Sequence, residues 1–374
     1  MKGTADVIII GAGIVGAACA DVLSREGMRV AVVESGAIGL GATAAGMGHI
    51  VVMDDSEAEF ALTRYSRDLW RERIPLLPPE VEYETRGTIW VAADEEEMAA
   101  VRRKAAFYQA RGVRAEVLDP AALAAAEPNL RSGLAGGLLI PDDAVIYAPC
   151  AARWLIDQAR VRGASLRAGV PVVEVQPDGV RLGDGSRVSA GLTICANGTW
   201  ATTLFPNLGV RPRKGHLAIT DRYPGFVRHQ LAELGYLKSA HGSANESVAF
   251  NAQPRATGQV LIGSSRQFGV THSTVDAPIL RRMLQRALEY MPGLARLSAI
   301  RAWTGFRAAT EDKLPLIGPC PSRENVYLAT GHEGLGITTS LGTARLLADM
   351  ILGRRPAIAP EPYLPSRLGE PAHA

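Results

Sequence analysis

Gly11-Ala12-Gly13-Ile14-Val15-Gly16 fits the pattern G-x-G-x-x-G, and an acidic residue, Glu34, stands about 20 residues beyond it. These residue types at this spacing bind a dinucleotide. Gly11 permits the tight turn and Gly13 lets the backbone approach a pyrophosphate. Gly16 lets the next helix pack close on its strand. The amides opening that helix meet the phosphates, where the helix dipole favours negative charge. Glu34 can accept hydrogen bonds from a ribose. Other side chains of chemical interest are scattered. The 7 histidines include no close pair, and the 4 cysteines (Cys19, Cys150, Cys195 and Cys320) form no C-x-x-C. No metal site is expected.

The elements around the turn support this reading. Val7–Ile10 is a short β-branched run suited to a buried parallel strand, and Val30–Val33 is a second, ending at Glu34. Ala17–Arg25 is helical in pattern between them. Asp6 and Asp21 bracket an apolar run too short for a bilayer. "GAAC" at Cys19 only faintly resembles a lipoprotein box, so neither a secretory leader nor an anchor is expected. The thiols read as reduced and the protein as cytoplasmic. Lys+Arg 40 against Asp+Glu 38 gives a net charge of +2 with no long basic run, and nucleic acid is not an expected partner.

Along the chain, Glu57–Arg73 and Glu95–Arg111 read as helices, and Glu82–Ala92 alternates like a strand. Pro149 opens a helix to Arg162, followed by a strand near Pro171–Val175. A hairpin with an Asp-Gly turn leads into the buried strand Leu192–Ala196. Beyond Arg211 come long strands, then a helix over Ile279–Met291. The interleaving predicts two discontinuous domains: 1–80, 142–210 and 301–374 for the nucleotide, and 81–141 with 211–300 as a mostly antiparallel sheet domain. From the residues alone, NAD and FAD both remain open.

Six stretches together resemble the D-amino-acid oxidase superfamily of glycine oxidase- and sarcosine oxidase-like FAD amine oxidoreductases. They are "VIIIGAGIVGAACA...VAVVE", "GATAAGM", "TICANGTWA", "VRPRKGHLA", "GFRAATEDKLPLIG" and "ATGHEGLGITTSLGTARLLADMI". The wording is most similar to the FAD-carrying subunits of opine oxidase and D-hydroxyproline dehydrogenase, with the cyanide-forming glycine dehydrogenases nearby. The resemblance implies an α/β chain, α+β overall: an FAD-binding Rossmann-like domain of the glutathione-reductase type, plus a substrate domain with a mostly antiparallel sheet. It implies oxidation of a D- or N-substituted α-amino acid by hydride transfer from Cα to flavin N5, giving an imine. It also implies partner subunits carrying iron–sulfur or additional flavin centres. The alternatives are a self-sufficient glycine, sarcosine or D-amino acid oxidase, or a non-catalytic flavin-binding assembly subunit.

Residue by residue, the resemblance assigns Gly11, Gly13, Ile14, Val15 and Gly16 to the pyrophosphate turn and Glu34 with Ser35 to the adenosine ribose. Thr43, Ala44, Ala45, Gly46 and Met47 would lie against the flavin, and Val173 near the adenine. Ala196, Gly198 and Trp200 match an A-x-G-x-W signature close to the cofactor. Gly331, His332, Gly334, Leu335, Gly336, Ile337 and Thr338 form the last loop, aiming a helix that begins near Thr339 at the flavin's pyrimidine edge. Thr339 or Ser340 would serve as its cap. In R-x-x-T-x-D-x-x-P-x-I-G, Arg307 would grip the substrate carboxylate through two parallel hydrogen bonds. His49 and Glu333 are further catalytic candidates. Ala308 departs from the proline of glycine oxidases, which touches the local pocket shape. No cysteine stands near Gly305, where sarcosine oxidases attach their flavin, so non-covalent FAD is expected.

Overall fold

A computed structural model describes residues 5–235 and 246–368. The chain divides into two compact units. The first comprises Met1–Val81, Ile146–Pro212 and Phe306–Ala374, and the second Glu82–Val145 and Arg213–Gly305.

The first unit is built on a sheet with the strand order Leu316–Pro319, Val326–Thr330, Arg187–Cys195, Ala5–Ile10, Val30–Glu34, Ser165–Ala168. All neighbouring pairs are parallel except Leu316–Pro319 with Val326–Thr330. Val7, Ile8 and Ile9 of the first strand are completely buried, which suits a strand covered on both faces. Full burial of each such side chain stabilises by roughly 1.5–3 kcal/mol. Ile10 lies level with Val33 on one side and Cys195 on the other. The chain thus turns to opposite sides from one central strand, which opens a crevice at that strand's carboxyl end.

Helices flank this sheet. Ile14–Arg25 follows the glycine turn directly, with Gly13 at its N-cap. Glu57–Arg73 is capped by Ser56, whose side chain accepts from the Glu59 amide, a bond worth typically about 1 kcal/mol. The last long helix is Gly336–Ile351. Asp21, wholly buried on the first helix, is held by three guanidinium groups: Arg25 at 3.1 Å, Arg73 at 3.0 Å and Arg162 at 2.9 Å.

The second unit carries an eight-stranded sheet with the order Ala299–Ala309, Arg211–Arg222, Gln259–Phe268, Glu246–Pro254, Gln230–Glu233, Thr88–Ala92, Gly136–Ile140, Glu116–Leu118. One pair, Gln230–Glu233 with Thr88–Ala92, is parallel. The helix Ala277–Tyr290 is opened by Asp276, whose side chain accepts from the Ile279 amide. It buries Ile279, Met283, Ala287 and Tyr290, a single stripe at helical spacing. Tyr290 stacks on Phe250 with ring centroids 4.7 Å apart. The expected strand over Glu82–Ala92 is shorter: only Thr88–Ala92 pairs continuously, and all five residues are buried, not alternating. Before them Glu82 takes a positive φ of 50° and Gly87 one of 73°, which breaks the run.

Among the described residues no helix is long and apolar enough to cross a membrane. Nor does any group of three or more His, Cys, Asp or Glu side chains among them form a candidate metal site.

Candidate functional site

Four segments of the first unit converge where the central strand ends. The first is the glycine turn. Gly11 has φ 101°, and a Cβ there would stand 2.8 Å from the Ala196 carbonyl oxygen. A Cβ on Gly16 would enter the Gly11 carbonyl oxygen, while one on Gly13 would meet only the Thr43 hydroxyl, at 3.3 Å. The glycines therefore do different work. Gly11 and Gly16 hold the strand, turn and helix together, whereas Gly13 leaves its approach clear. Glu34 fastens the turn: its Oε2 accepts from the Ala12 amide at 2.7 Å and its Oε1 from the Gly36 amide at 2.8 Å and the Ser35 hydroxyl at 3.2 Å.

The second segment is the small-residue loop. Thr43 is buried and its hydroxyl accepts from the Ile14 amide at 3.0 Å, so this loop is tied to the first helix. Ala44 is exposed, and Ala45, Gly46 and Met47 are half-buried. A Cβ on Gly46 would stand 2.9 Å from Ile337 Cδ1, so glycine is what lets this loop meet the last one. The third segment follows the strand Arg187–Cys195. The Ala196 amide donates to the Ile10 carbonyl at 2.9 Å. Gly198 has φ 59°, and its carbonyl accepts from the Thr330 hydroxyl at 2.8 Å. Trp200 is 57% exposed and meets Phe306 edge-on, with centroids 6.4 Å apart.

The fourth segment is Gly331–Thr338. The helix starts at Gly336 with Leu335 at its cap and no side-chain capping bond, not near Thr339 as expected. Thr339 and Ser340 are not caps. Their hydroxyls bond back to the Leu335 and Ile337 carbonyls, at 2.8 and 3.0 Å. The first-turn amides, Gly336 to Thr338, lie where a helix has no partners of its own for them. The Thr338 hydroxyl donates to the His49 carbonyl at 2.8 Å and accepts from the Val51 amide at 3.3 Å, binding the loop after Met47 to this helix. The Trp70 indole donates to the Ile337 carbonyl at 3.3 Å.

The His332 ring is buried, with Nε2 at 2.9 Å from the Thr343 hydroxyl. Burial drives it down to about 3, so the imidazole is neutral. Glu333 takes φ 47°, and its amide donates to the Ala308 carbonyl at 2.9 Å. This bond ties the loop to the end of the strand carrying Arg307. The Arg307 Nε lies 3.7 Å from where a Cβ on Gly334 would be. Glu59 is pushed up to about 8 by burial and by the carboxylates of Asp55, Glu333 and Asp54, with Lys313 opposing. It is mostly protonated at neutral pH. His49 is half-buried. Val173 is 44% exposed, on a strand that pairs only with its hairpin partner; three residues earlier, the Val170 amide donates to the Glu34 carbonyl at 3.3 Å. Cys19 and Cys195 are pushed up to about 12 by burial and are inert thiols.

Sequence reasoning missed Thr330, Trp70 and Thr343, which position the loops. The signal for Thr330 was a hydroxyl residue closing a strand just before Gly331. Trp70 and Thr343 sit on helices at core positions and gave none.

A βαβ unit with glycines at its turn, a carboxylate closing it and a second helix N-terminus at the same crevice defines a flavin dinucleotide-binding protein. The residues fit the group: Gly11 and Gly16 leave no room for Cβ atoms, Gly13 keeps its approach clear, and two sets of helix-opening amides meet there. The family model described as FAD dependent oxidoreductase matches residues 6–350, and the chain belongs to this family, the D-amino-acid oxidase type of FAD-dependent amine oxidoreductases. It is 28% identical to glycine oxidase of Geobacillus kaustophilus over 96% of each chain. The crystal structure of that enzyme matches with a TM-score of 0.88, covering 98% of this chain and 99% of the other at 27% identity. A D-amino acid dehydrogenase of Methylobacterium nodulans is 30% identical, covering 80% of this chain and 71% of the relative. Hydrogen cyanide synthase subunit HcnC of Pseudomonas aeruginosa is 27% identical, covering 100% and 98%.

Proposed function

We propose that this enzyme oxidises a D-configured or N-substituted α-amino acid at its Cα–H bond, with Arg307 holding the substrate carboxylate. FAD, when bound, accepts the hydride and leaves the substrate as an imine. The observation that carries the reading is the placement of Arg307. Its guanidinium lies beside Gly334 in the loop whose helix opens at Gly336. A planar guanidinium fixes a carboxylate in orientation as well as charge. Gly334 puts no side chain of its own beside that guanidinium. The amides of Gly336 to Thr338 supply partial positive charge without a mobile ion. The same reading assigns the FAD ligands: Gly11 to Gly16 at the pyrophosphate, Glu34 and Ser35 at the ribose, and the backbone of 43–47, 196–200 and 331–338 along the rest. Attachment is non-covalent, and the second unit carries substrate specificity.

Within this class a cyclic D-imino acid or an opine is the favoured substrate. The chain works as the flavin-bearing subunit of a hetero-oligomer that passes electrons to iron–sulfur or further flavin centres on other subunits. A relative named as a subunit, matched over 100% of this chain and 98% of its own, supports this. The test is anaerobic mixing of the purified flavoprotein with D-, L- and N-substituted amino acids, following flavin bleaching. Bleaching by cyclic D-imino acids or opines is expected, with little oxygen consumption by the isolated chain. Arg307→Ala should abolish it and Arg307→Lys restore only part. Undiminished bleaching in Arg307→Ala refutes the assigned role. Rapid oxygen turnover with many primary D-amino acids refutes the heteromeric reading.

A further inference from the structure

The helix Glu57–Arg73 is followed by the run Ile-Pro-Leu-Leu-Pro-Pro over 74–79. None of these residues is buried: Ile74 is 41% exposed and Leu76 58%, Pro75 and Pro79 are exposed, and Leu77 and Pro78 are half-buried. Trp70 before the run and Val81 after it are wholly buried, so the run is anchored at both ends and turned outward between them. A consecutive apolar run left on a surface calls for a function. This one is also stiff. Ile74–Leu76 and Pro79–Val81 are single 3-10 turns. They are closed where the Leu77 amide donates to the Ile74 carbonyl at 3.2 Å and the Val81 amide to the Pro78 carbonyl at 3.0 Å. The prolines at 75, 78 and 79 fix φ, so little chain entropy is lost when this face is covered.

The run lies along the helix Ala148–Val161 of the same unit, in the opposite direction. At one end the Tyr147 amide donates to the Val81 carbonyl at 2.7 Å. At the other, Arg73 and Arg162 both hold Asp21, at 3.0 and 2.9 Å. Ile74 and Val161 are the chain neighbours of those two arginines, and Val161 is 84% exposed, so it widens the apolar strip at Ile74. A helix of this length sets the two ends roughly 20 Å apart. The ends differ in charge. At Ile74 stands the Asp21 cluster, three guanidiniums against one carboxylate, with Arg71 and Glu72 exposed beside it. At Pro79 stands Glu80, also exposed.

We propose that this strip is the contact face of a two-fold symmetric dimer, covered by the same strip of a second copy of this chain. A two-fold axis through Leu76 and Leu77 lays the two runs antiparallel. The basic end of each then meets Glu80 of the other, and every charge pair is made twice. An apolar centre closed by a charged rim is the anatomy of a specific interface. A membrane surface fits less well, because anionic headgroups would meet Glu72 and Glu80 as well as the arginines. Arg71 is able to take part: its exposed pair with Asp68, at 4.0 Å, is loose. The proposal is independent of the substrate reading and of any other subunit the chain joins.

Sedimentation velocity of the purified flavoprotein across a concentration series tests this. The native chain should sediment as a dimer, or as an assembly built from dimers. Leu76→Asp should raise the dimer dissociation constant by about tenfold or more. It should keep native flavin content and circular dichroism, since Leu76 is exposed. Arg71→Glu and Glu80→Arg should each weaken the dimer by about threefold or more, and the two together should bring it back within about threefold of native. That recovery belongs to charges that meet across the axis; a loop that merely lies on the surface gives added losses or none. If Leu76→Asp fails to fold, the charge reversals decide alone. A native chain that stays monomeric overturns the proposal, including one that binds anionic vesicles or assembles only with a different subunit. So does a dimer that Leu76→Asp or the single reversals leave unmoved, or one that the double reversal leaves as weak as either single change.

Discussion

Gly13 and Gly16 belong to one motif, yet the structure separates what they do. Replacing each by alanine adds one methyl group. At Gly16 that methyl enters the Gly11 carbonyl oxygen, which is backbone and cannot step aside. The helix Ile14–Arg25 must move off its strand. Overpacking of this kind costs about 1–3 kcal/mol or more, a fall of several degrees in melting temperature for the flavin-free protein. At Gly13 the nearest atom is a side-chain hydroxyl at 3.3 Å, and the backbone, φ −65° and ψ 175°, is ordinary for alanine. The flavin-free Gly13→Ala protein should therefore melt within about 2 °C of native. Its methyl instead occupies the space left for the pyrophosphate. A misfit of about 1–3 kcal/mol weakens FAD binding by about 5- to 150-fold. The assay is titration of apoprotein with FAD, read by flavin fluorescence, alongside scanning calorimetry of both apoproteins. Native affinity in Gly13→Ala refutes the reasoning, as does a Gly13→Ala apoprotein destabilised as much as Gly16→Ala.

Asp21→Asn leaves three guanidinium groups around a buried neutral amide and should destabilise by about 3–5 kcal/mol, measured by urea unfolding; Asp6→Asn, breaking the exposed pair with Arg29, should shift the melting temperature by less than about 2 °C. Glu59 has its pKa raised from 4.5 to about 8 in the folded protein. The native state then holds a proton the unfolded chain has lost, so stability falls as pH rises from about 4.5 to about 8. Glu59→Gln should remove that slope and gain about 2–6 °C on native between pH 5.5 and 8.5, by calorimetry. His332 works on the acid side. With its pKa lowered from 6.5 to about 3, the unfolded chain binds the proton first, so its contribution is complete above pH 6.5 and fades as pH falls towards about 3. His332→Gln should flatten the stability profile across that window.

The dinucleotide turn was legible because each glycine has a steric reason that spacing alone records. So were the helices Glu57–Arg73 and Ala277–Tyr290, whose caps and apolar stripes are local. The start of the last helix was not. Thr339 and Ser340 look like caps in sequence, but a hydroxyl inside a helix can equally bond back to a carbonyl one turn earlier. The true start at Gly336 depends on the turn made when Leu335 donates to the His332 carbonyl, which spacing does not reveal. Glu333's positive φ and its bond to Ala308 join segments 25 residues apart (308 to 333) and left no local trace.

The crevice is lined by residues numbered from 11 to 338, drawn from all three stretches of the first unit. During synthesis, the opening turn leaves the ribosome long before the helix Gly336–Ile351 that completes its far wall. A nascent chain stalled before Gly331 would display the glycine turn yet lack the amides opening that helix and Arg307's neighbouring loop. A product truncated before Gly331 therefore lacks one wall of this crevice, however well its opening turn is made.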